Sequence, residues 1–555
     1  MTSKIPYYLE DITVDDGMVR VFEHPHSTQI AHLESACCVS NTAMYYFICK
    51  YYGINLDGEK VVSEIAKLQD KEKSSGTYGN LRWYREQEGV IDTNAAFFGL
   101  LPVALAYIKY PDRLTPKEKS IIGEMLELGG YWFVRECKTG GYAYTNKEAS
   151  SGAALMLMAI ACKNDSLLSE AYAFWDSFLD YTEQRGWGWG ENTSKCYALV
   201  TNRAFEVVMS VIEASEDLYK RLEVLRSKLL DFLEYHGCYE MVPTIRTYNY
   251  DGDAWRYGTD INESEEEFIE NNTRGDKKIS LFDVYGFILH QLAPRYEAKE
   301  NKSSFVKEKV FDNAYAYSYK GRNIRLGVMT HFPVVPNCAQ EKGWGLAWQS
   351  MPVAVCAVNH ETSFLRFAAC CDGKLRTHPT TDRHFSVVNG TELFGDGNIP
   401  DEHTFANQRE NVAVVVRSVK HIANNAAYFA DEYVARRFDG EVEEYNGWYI
   451  LNYGDCVLAV KSVNGEATLR RDGSEVIIAQ VYYEGAGKFI VEKNCITAWA
   501  IAVFDNSDDY KDKLDGIKVS FEEITDLSVP RYKMPFKVSC GEVSLNYDPD
   551  GYEFK

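Results

Sequence analysis

In the first half of the chain, hydrophobic and polar positions fall into two kinds of segment. One kind is apolar nearly all round: Ala95 to Ile108, Ala153 to Cys162 and Ala204 to Ile212. The other carries a polar face and an apolar stripe at helical spacing: Asp57 to Lys71, Thr115 to Cys137, Ser166 to Gln184 and Glu216 to Tyr235. A helix that is apolar on every side needs neighbours on every side, whereas a striped helix needs one. The pattern therefore predicts inner helices, each backed by an outer one. Thr115-Pro116-Lys117-Glu118 and Asp165-Ser166 are helix-start chemistry. Glycines soon follow each outer segment at Gly76, Gly140-Gly141, Gly186 and Gly237, where helices commonly stop.

The pattern is periodic. Asparagine returns at Asn41, Asn94, Asn146 and Asn202, at or just before the apolar runs, with intervals of 94−41 = 53, 146−94 = 52 and 202−146 = 56 residues. A near-constant period of this size marks a repeated supersecondary unit. Hairpins this long exclude the shorter solenoid periods, and inner helices apolar all round suit a closed double ring better than an open superhelix. The expected fold is an α/α toroid of five or six helical hairpins. Its fifth inner helix, Leu281 to Leu292, is reached after a long aromatic excursion from Thr247 to Tyr257. Connections of that length are more often functional than idle.

Past Pro294 the helical period disappears. The polar run Arg295 to Ser304 reads as a linker, followed by alternating or β-branched stretches such as Asn411 to Val416, Trp448 to Val463, Glu475 to Tyr483 and Phe489 to Phe504. Asn-Gly, Asp-Gly and Gly-rich turns separate them. The expected organisation is multidomain α+β: a toroid over residues 1–295, a linker over 296–310, and an antiparallel β-sandwich of two stacked sheets over 311–555.

Charge narrows the partners. A net charge of −22 without any basic block argues against nucleic acid or an anionic membrane surface, both of which need clustered cations. No secretory leader is evident at Met1 to Glu10 and no apolar run is long enough to span a bilayer, so the expected location is cytoplasmic. The 14 cysteines contain no Cys-x-x-Cys spacing, which argues for small core residues over a zinc ribbon or redox motif. His24-Pro25-His26 with His32 imitates a metal site but lacks carboxylate or cysteine partners. The 38 tyrosines and 10 tryptophans point instead to carbohydrate, because aromatic faces suit the apolar faces of sugar rings and Tyr and Trp add a polar handle. Exposed sheet edges leave a homo-oligomer open.

A helical toroid followed by an antiparallel β domain resembles the layout of heparinase II/III-like and alginate-lyase-like polysaccharide lyases, over the whole chain. The resemblance implies β-elimination at a uronic acid, without an obligatory metal or organic cofactor. It also implies an asparagine or glutamine, a tyrosine and one or more histidines around a cleft at one end of the toroid. Asn94, Asn146, Asn202, Tyr144 and Tyr197 are of the matching types. The chemistry needs them: an amide or arginine to stabilise the carboxylate as charge builds on it, and a tyrosine or histidine to move the proton. Helix N-termini favour that anion. Asparagine is equally an excellent N-cap, so all four repeats can be pure helix architecture.

Around these sit the binding candidates. Gly140-Gly141-Tyr142-Ala143-Tyr144 and Gly186-Trp187-Gly188-Trp189-Gly190 place rings beside glycines, either as an exposed rim or as plugs. Arg203, Tyr248, Trp255, Arg256 and Trp344 complete the substrate-binding set, and His378, near Arg376 and Arg383, is the favoured histidine. Two other classes stay open. A glycoside hydrolase would need paired carboxylates, from Asp92, Glu148, Glu191, Asp251 and Asp253. A carbohydrate-binding protein would need the rings alone.

Overall fold

The computed structural model describes residues 3–22, 25, 27–140, 142, 144–188, 190–236, 261–273, 278–297, 303–311, 314–330, 352–371, 373–378, 401–421, 426–485, 495–506, 508–523 and 536–547. They form two compact units, one of residues 1–183, 199–228 and 259–297, the other of 184–198, 229–258 and 298–555.

The first unit opens with a short helix α1 (Ile5–Tyr8) and a small antiparallel sheet of Val14–Asp15, Met18–Val21 and Ala36–Cys37. Helical hairpins follow. The apolar runs become α2 (Val39–Tyr52), α4 (Ala95–Lys109), α6 (Thr145–Ala161), α8 (Lys195–Met209) and α11 (Leu281–Leu292). The striped segments become α3 (Gly58–Lys67), α5 (Pro116–Thr139), α7 (Asp165–Arg185) and α9 (Asp217–His236), and a short α10 (Glu265–Asn272) precedes α11. Capping boxes start α5, α10 and α11, from Thr115 with Glu118, Ser264 with Glu267 and Ser280 with Asp283.

The inner helices share an interior. α2 packs against both α4 and α11, and α4 against α6. Met44 of α2, Phe97 of α4, Ser150 of α6, Val207 of α8 and Tyr285 of α11 line one cavity of about 40 Å³. Two buried ion clusters tie helices together. Lys50 Nζ lies 2.7 Å from Glu118, which also accepts from Tyr46 Oη at 2.9 Å. Glu206 of α8 meets Arg226 of α9 at 2.9 Å and His290 of α11 at 2.7 Å. Burial pushes the Glu206 carboxyl up, but the charges of His290 and Arg226 outweigh it and hold the group below its ordinary value.

The second unit is an antiparallel β structure. Among the described residues its larger sheet has nine strands, from Thr468–Asp472 at one edge, through Glu475–Glu484, Ala426–Ala435 and Ser363–Cys371, to Phe305–Phe311 at the other. Phe305–Phe311 begins inside the stretch expected as linker, and Lys374–His378 pairs with Ser363–Cys371 off the main path. A six-stranded sheet faces the first, with Leu326, Val355 and Tyr433 packing against Val415, Leu458 and Ile501. The expectation of two stacked sheets is incomplete, because the outer face of the six-stranded sheet is also buried. There Val414, Val416 and Ala500 pack under Val538, Cys540 and the helix α12 (Tyr510–Asp515), part of a third layer containing a three-stranded sheet.

Two segments expected in the helical half group with the β unit. The loop at Gly186 and Gly188 runs against the backbone of Val310 and Phe311, with Gly188 N donating to Val310 O at 2.7 Å. A Cβ at either glycine would strike that backbone, so the close approach requires them. Farther on, His236 Nδ1 is 2.7 Å from Ser318 Oγ.

Candidate active site

Four inner helices begin at the same end of the first unit. The start of α2 lies beside the early turns of α4, because Val39 N donates to Trp83 O and a Cβ on Gly99 would touch the Val39 side chain. The start of α11 joins them: Leu281 lines the same cleft as Cys38 and Asn41. The start of α6 meets that of α4 through one side-chain contact, in which Asn94 Nδ2 donates to Tyr144 Oη at 3.5 Å.

That contact, and not a cap, engages the Asn94 side chain. The residue occupies the N-cap of α4, yet its side chain makes no capping bond. Its backbone N donates to Asp92 Oδ1 at 2.9 Å, which fixes the turn, and the amide is left to face Tyr144. The loop is clamped from both sides. Buried Asn80 donates from Nδ2 to Thr93 O at 3.0 Å, and Lys147 Nζ donates to Thr93 Oγ1 at 3.0 Å while pairing with Glu136 at 2.9 Å. Asn94 and Tyr144 are both half-buried, so they are held in place and open to a ligand. Asn80 and Lys147 are positioning residues that sequence reading misses, since nothing in their local pattern announces a tertiary partner.

The other repeat asparagines do not cap either. Asn41 is the third residue of α2, its Oδ1 accepting from Ser40 Oγ at 3.3 Å. Asn146 is the second residue of α6 and 5% exposed. Asn202 lies well inside α8 at 0% exposure, and neither amide atom has a hydrogen-bond partner among the described residues. Burying an amide unbonded is costly, so it marks a strained point in the packing. Its neighbour Arg203 lines the inner cavity, its guanidinium 4.0 Å over the Phe282 ring and so close to α11 that a Cβ at Gly286 would force it to shift. Burial raises the Tyr285 hydroxyl beside it, and the Arg203 charge opposes that shift.

One carboxyl stands apart. Glu148, four residues after Tyr144 on α6, is 8% exposed and packs directly against Gly140. Burial pushes it up to about 7; the Lys147 ammonium opposes the shift and Glu136 adds to it.

In the second unit, Trp187 corrects the reading of an exposed ring. It is 6% exposed, stacks edge-on against Phe232 at 4.9 Å, and its carbonyl accepts from Asn192 Nδ2 at 2.8 Å. The flanking glycines serve backbone packing here rather than ligand approach. Tyr197 is half-buried in the first turn of α8, and His378 ends the strand Lys374–His378 opposite Phe367. Trp189, Tyr248, Trp255, Arg256 and Trp344 lie outside the described residues, as do Asp251 and Asp253.

No family model and no curated protein matches this sequence. Solved structures do. The Streptomyces coelicolor A3 chondroitin AC lyase, solved in complex with chondroitin sulphate, aligns over 98% of this chain and 84% of its own at TM-score 0.52 and 8% identity. This chain has a polysaccharide-lyase-like fold. Heparinase III aligns over 96% of this chain and 86% of its own, at TM-score 0.48 and 12% identity. A Paenibacillus xanthan lyase aligns over 96% of this chain and 60% of its own, at TM-score 0.46 and 9% identity. The lyase-like fold gives the architecture, while the chemistry has to come from the residues. An amide donor set 3.5 Å from a phenol, both half-buried beside gathered helix starts, can stabilise a carboxylate and move a proton.

Proposed function

We propose that the protein is a lyase that cleaves a uronate-containing polysaccharide or oligosaccharide by β-elimination. The observation that carries this reading is the pairing of Asn94 with Tyr144, made by a side chain that forgoes its capping bond. In the reaction Tyr144, as phenolate, takes the proton from C5 of the uronic acid. Negative charge builds on the adjacent carboxylate, where the Asn94 amide donates a hydrogen bond. The C4–oxygen bond breaks, a C4=C5 double bond forms, and Tyr144 returns the proton to the leaving oxygen. Tyr197 and His378 lie in the second unit and are assigned no step here. Asn146, Asn202 and Arg203, buried or facing the inner cavity, support the helices that carry the pair. In a cytoplasmic setting the substrate would be oligosaccharide rather than intact polymer.

A second reading has one observation in its favour. Glu148, with its carboxyl near 7, is poised as a general acid, as a glycoside hydrolase requires. Its partner carboxylate would be Asp92. Incubation with a panel of uronate oligosaccharides separates the two. Ultraviolet absorbance of a conjugated unsaturated uronate, rising with new reducing ends, supports elimination; new reducing ends without absorbance overturn it in favour of hydrolysis.

A further inference from the structure

The first unit holds a second recess that the Asn94–Tyr144 chemistry leaves unused. A cleft of about 770 Å³ opens where the starts of α2 and α11 meet the N-terminal segment, and Tyr8, Phe22, Asn41, Tyr84 and Lys278 are among its walls. That volume falls in the range of small-molecule sites. The cleft has the parts that a sugar ring requires. Phe22 is 68% exposed and Tyr8 37%, so two rings stand at the wall without being absorbed into the core. Large apolar side chains left in solvent beside a recess mark binding surfaces more often than chance. Asn41 accepts from Ser40 through Oδ1, while its Nδ2 makes no hydrogen bond among the described residues.

The charges argue for rings and amide over ions. Arg20 is already engaged by Asp15 at 2.5 Å and Ser35 at 3.2 Å. Lys278 faces Asp11 at 3.9 Å with both side chains at least 80% exposed, a pair that water and salt weaken. Asn41 also occupies the repeat position that Asn94 occupies one hairpin later. Neighbouring packed helices stand about 8–10 Å apart, a separation that one short saccharide chain can bridge.

We propose that this cleft is a saccharide subsite, in which further pyranose rings of the oligosaccharide that reaches Asn94 and Tyr144 lie against Phe22 and Tyr8 and accept a hydrogen bond from Asn41. The assignment rests on reading the protein as a glycan-cleaving enzyme. Because rings and an amide do the binding, affinity here changes little with added salt.

The test is calorimetric binding of uronate disaccharides and tetrasaccharides to the full chain carrying Tyr144→Phe, alone and with Phe22→Ala or Asn41→Ala added. The subsite predicts that each addition weakens tetrasaccharide binding roughly fivefold, the weight of one ring contact. It also predicts that disaccharide binding is unchanged, and that unfolding midpoints are unchanged because both positions are near the surface. Equal affinities at both lengths in all variants overturn the subsite even if the wild type proves to be a lyase. Conversely, if no uronate is cleaved but the length-dependent loss appears, the subsite stands and the elimination chemistry falls. Absence of binding to every saccharide overturns the subsite.

Discussion

Gly286 lies directly beneath the guanidinium of Arg203, and a Cβ built there would overlap it. The contact links α8 to α11. Gly286→Ala should cost about 1–3 kcal/mol by overpacking, read as a lower urea midpoint at unchanged slope. Adding Arg203→Ala should recover part of that loss, because the clash partner is gone. Strict additivity of the two substitutions would show that the contact does not govern the packing.

The proposed pairing of Asn94 with Tyr144 makes a kinetic prediction. Tyr144→Phe should lower the elimination rate by roughly 10²–10⁴-fold, with KM little changed, because the lost hydroxyl moves the proton. Asn94→Ala should lower kcat by a similar order, since its donor serves the charge that grows in the transition state. Equal activity of both variants and wild type in the absorbance assay would remove the pair from the mechanism.

The Glu206 cluster predicts an acid-side dependence. A carboxyl held below its ordinary value of 4.5 stabilises the fold fully above that value and loses the contribution as pH falls through the lower folded value. Glu206→Gln should therefore flatten the acid limb of the melting-temperature profile. Arg226→Met, which strips one partner from a carboxylate buried at 0% side-chain exposure, should cost about 3–5 kcal/mol near neutrality. Denaturant titration at neutral and acid pH checks both.

Glu148 predicts the opposite sign. Its folded value, about 7, lies above the ordinary 4.5, so the folded protein keeps a proton that the unfolded chain gives up. Stability is fully present below 4.5, declines as pH rises through the interval to about 7, and levels off beyond. The span is worth roughly 3 kcal/mol. Glu148→Gln should remove that decline and leave the protein more stable in mild alkali. A melting profile with the same slope in both proteins would refute the assignment.

Much of the helical half was readable because burial all round and a 3.6-residue stripe are local patterns. Leu281 to Leu292 emerges with the expected bounds, and Thr115 to Cys137 differs from the observed Pro116–Thr139 by two residues at most. What the asparagines do was not readable. Whether Asn94 caps its helix or faces Tyr144 depends on a side chain 50 residues away. The glycines around Trp187 left rim and plug undecided for a related reason: a glycine that lets a ligand approach and one that lets Val310 approach look alike in one dimension. The third β layer went unseen because strands buried on both faces, as at Val414 and Val415, lose the alternation that reveals which side is covered.

The repeat period has a consequence for how such a site can change. Three of the repeated hairpins deliver an asparagine at or near the start of the inner helix, and Asn41 and Asn94 show two of these copies without the helix-capping duty that would have pinned them. A substitution at either of these two positions therefore removes no helix cap. Under the proposed reading the repeat thus holds alternative amides at neighbouring helix starts, from which substrate preference could diverge one hairpin at a time without rebuilding the frame.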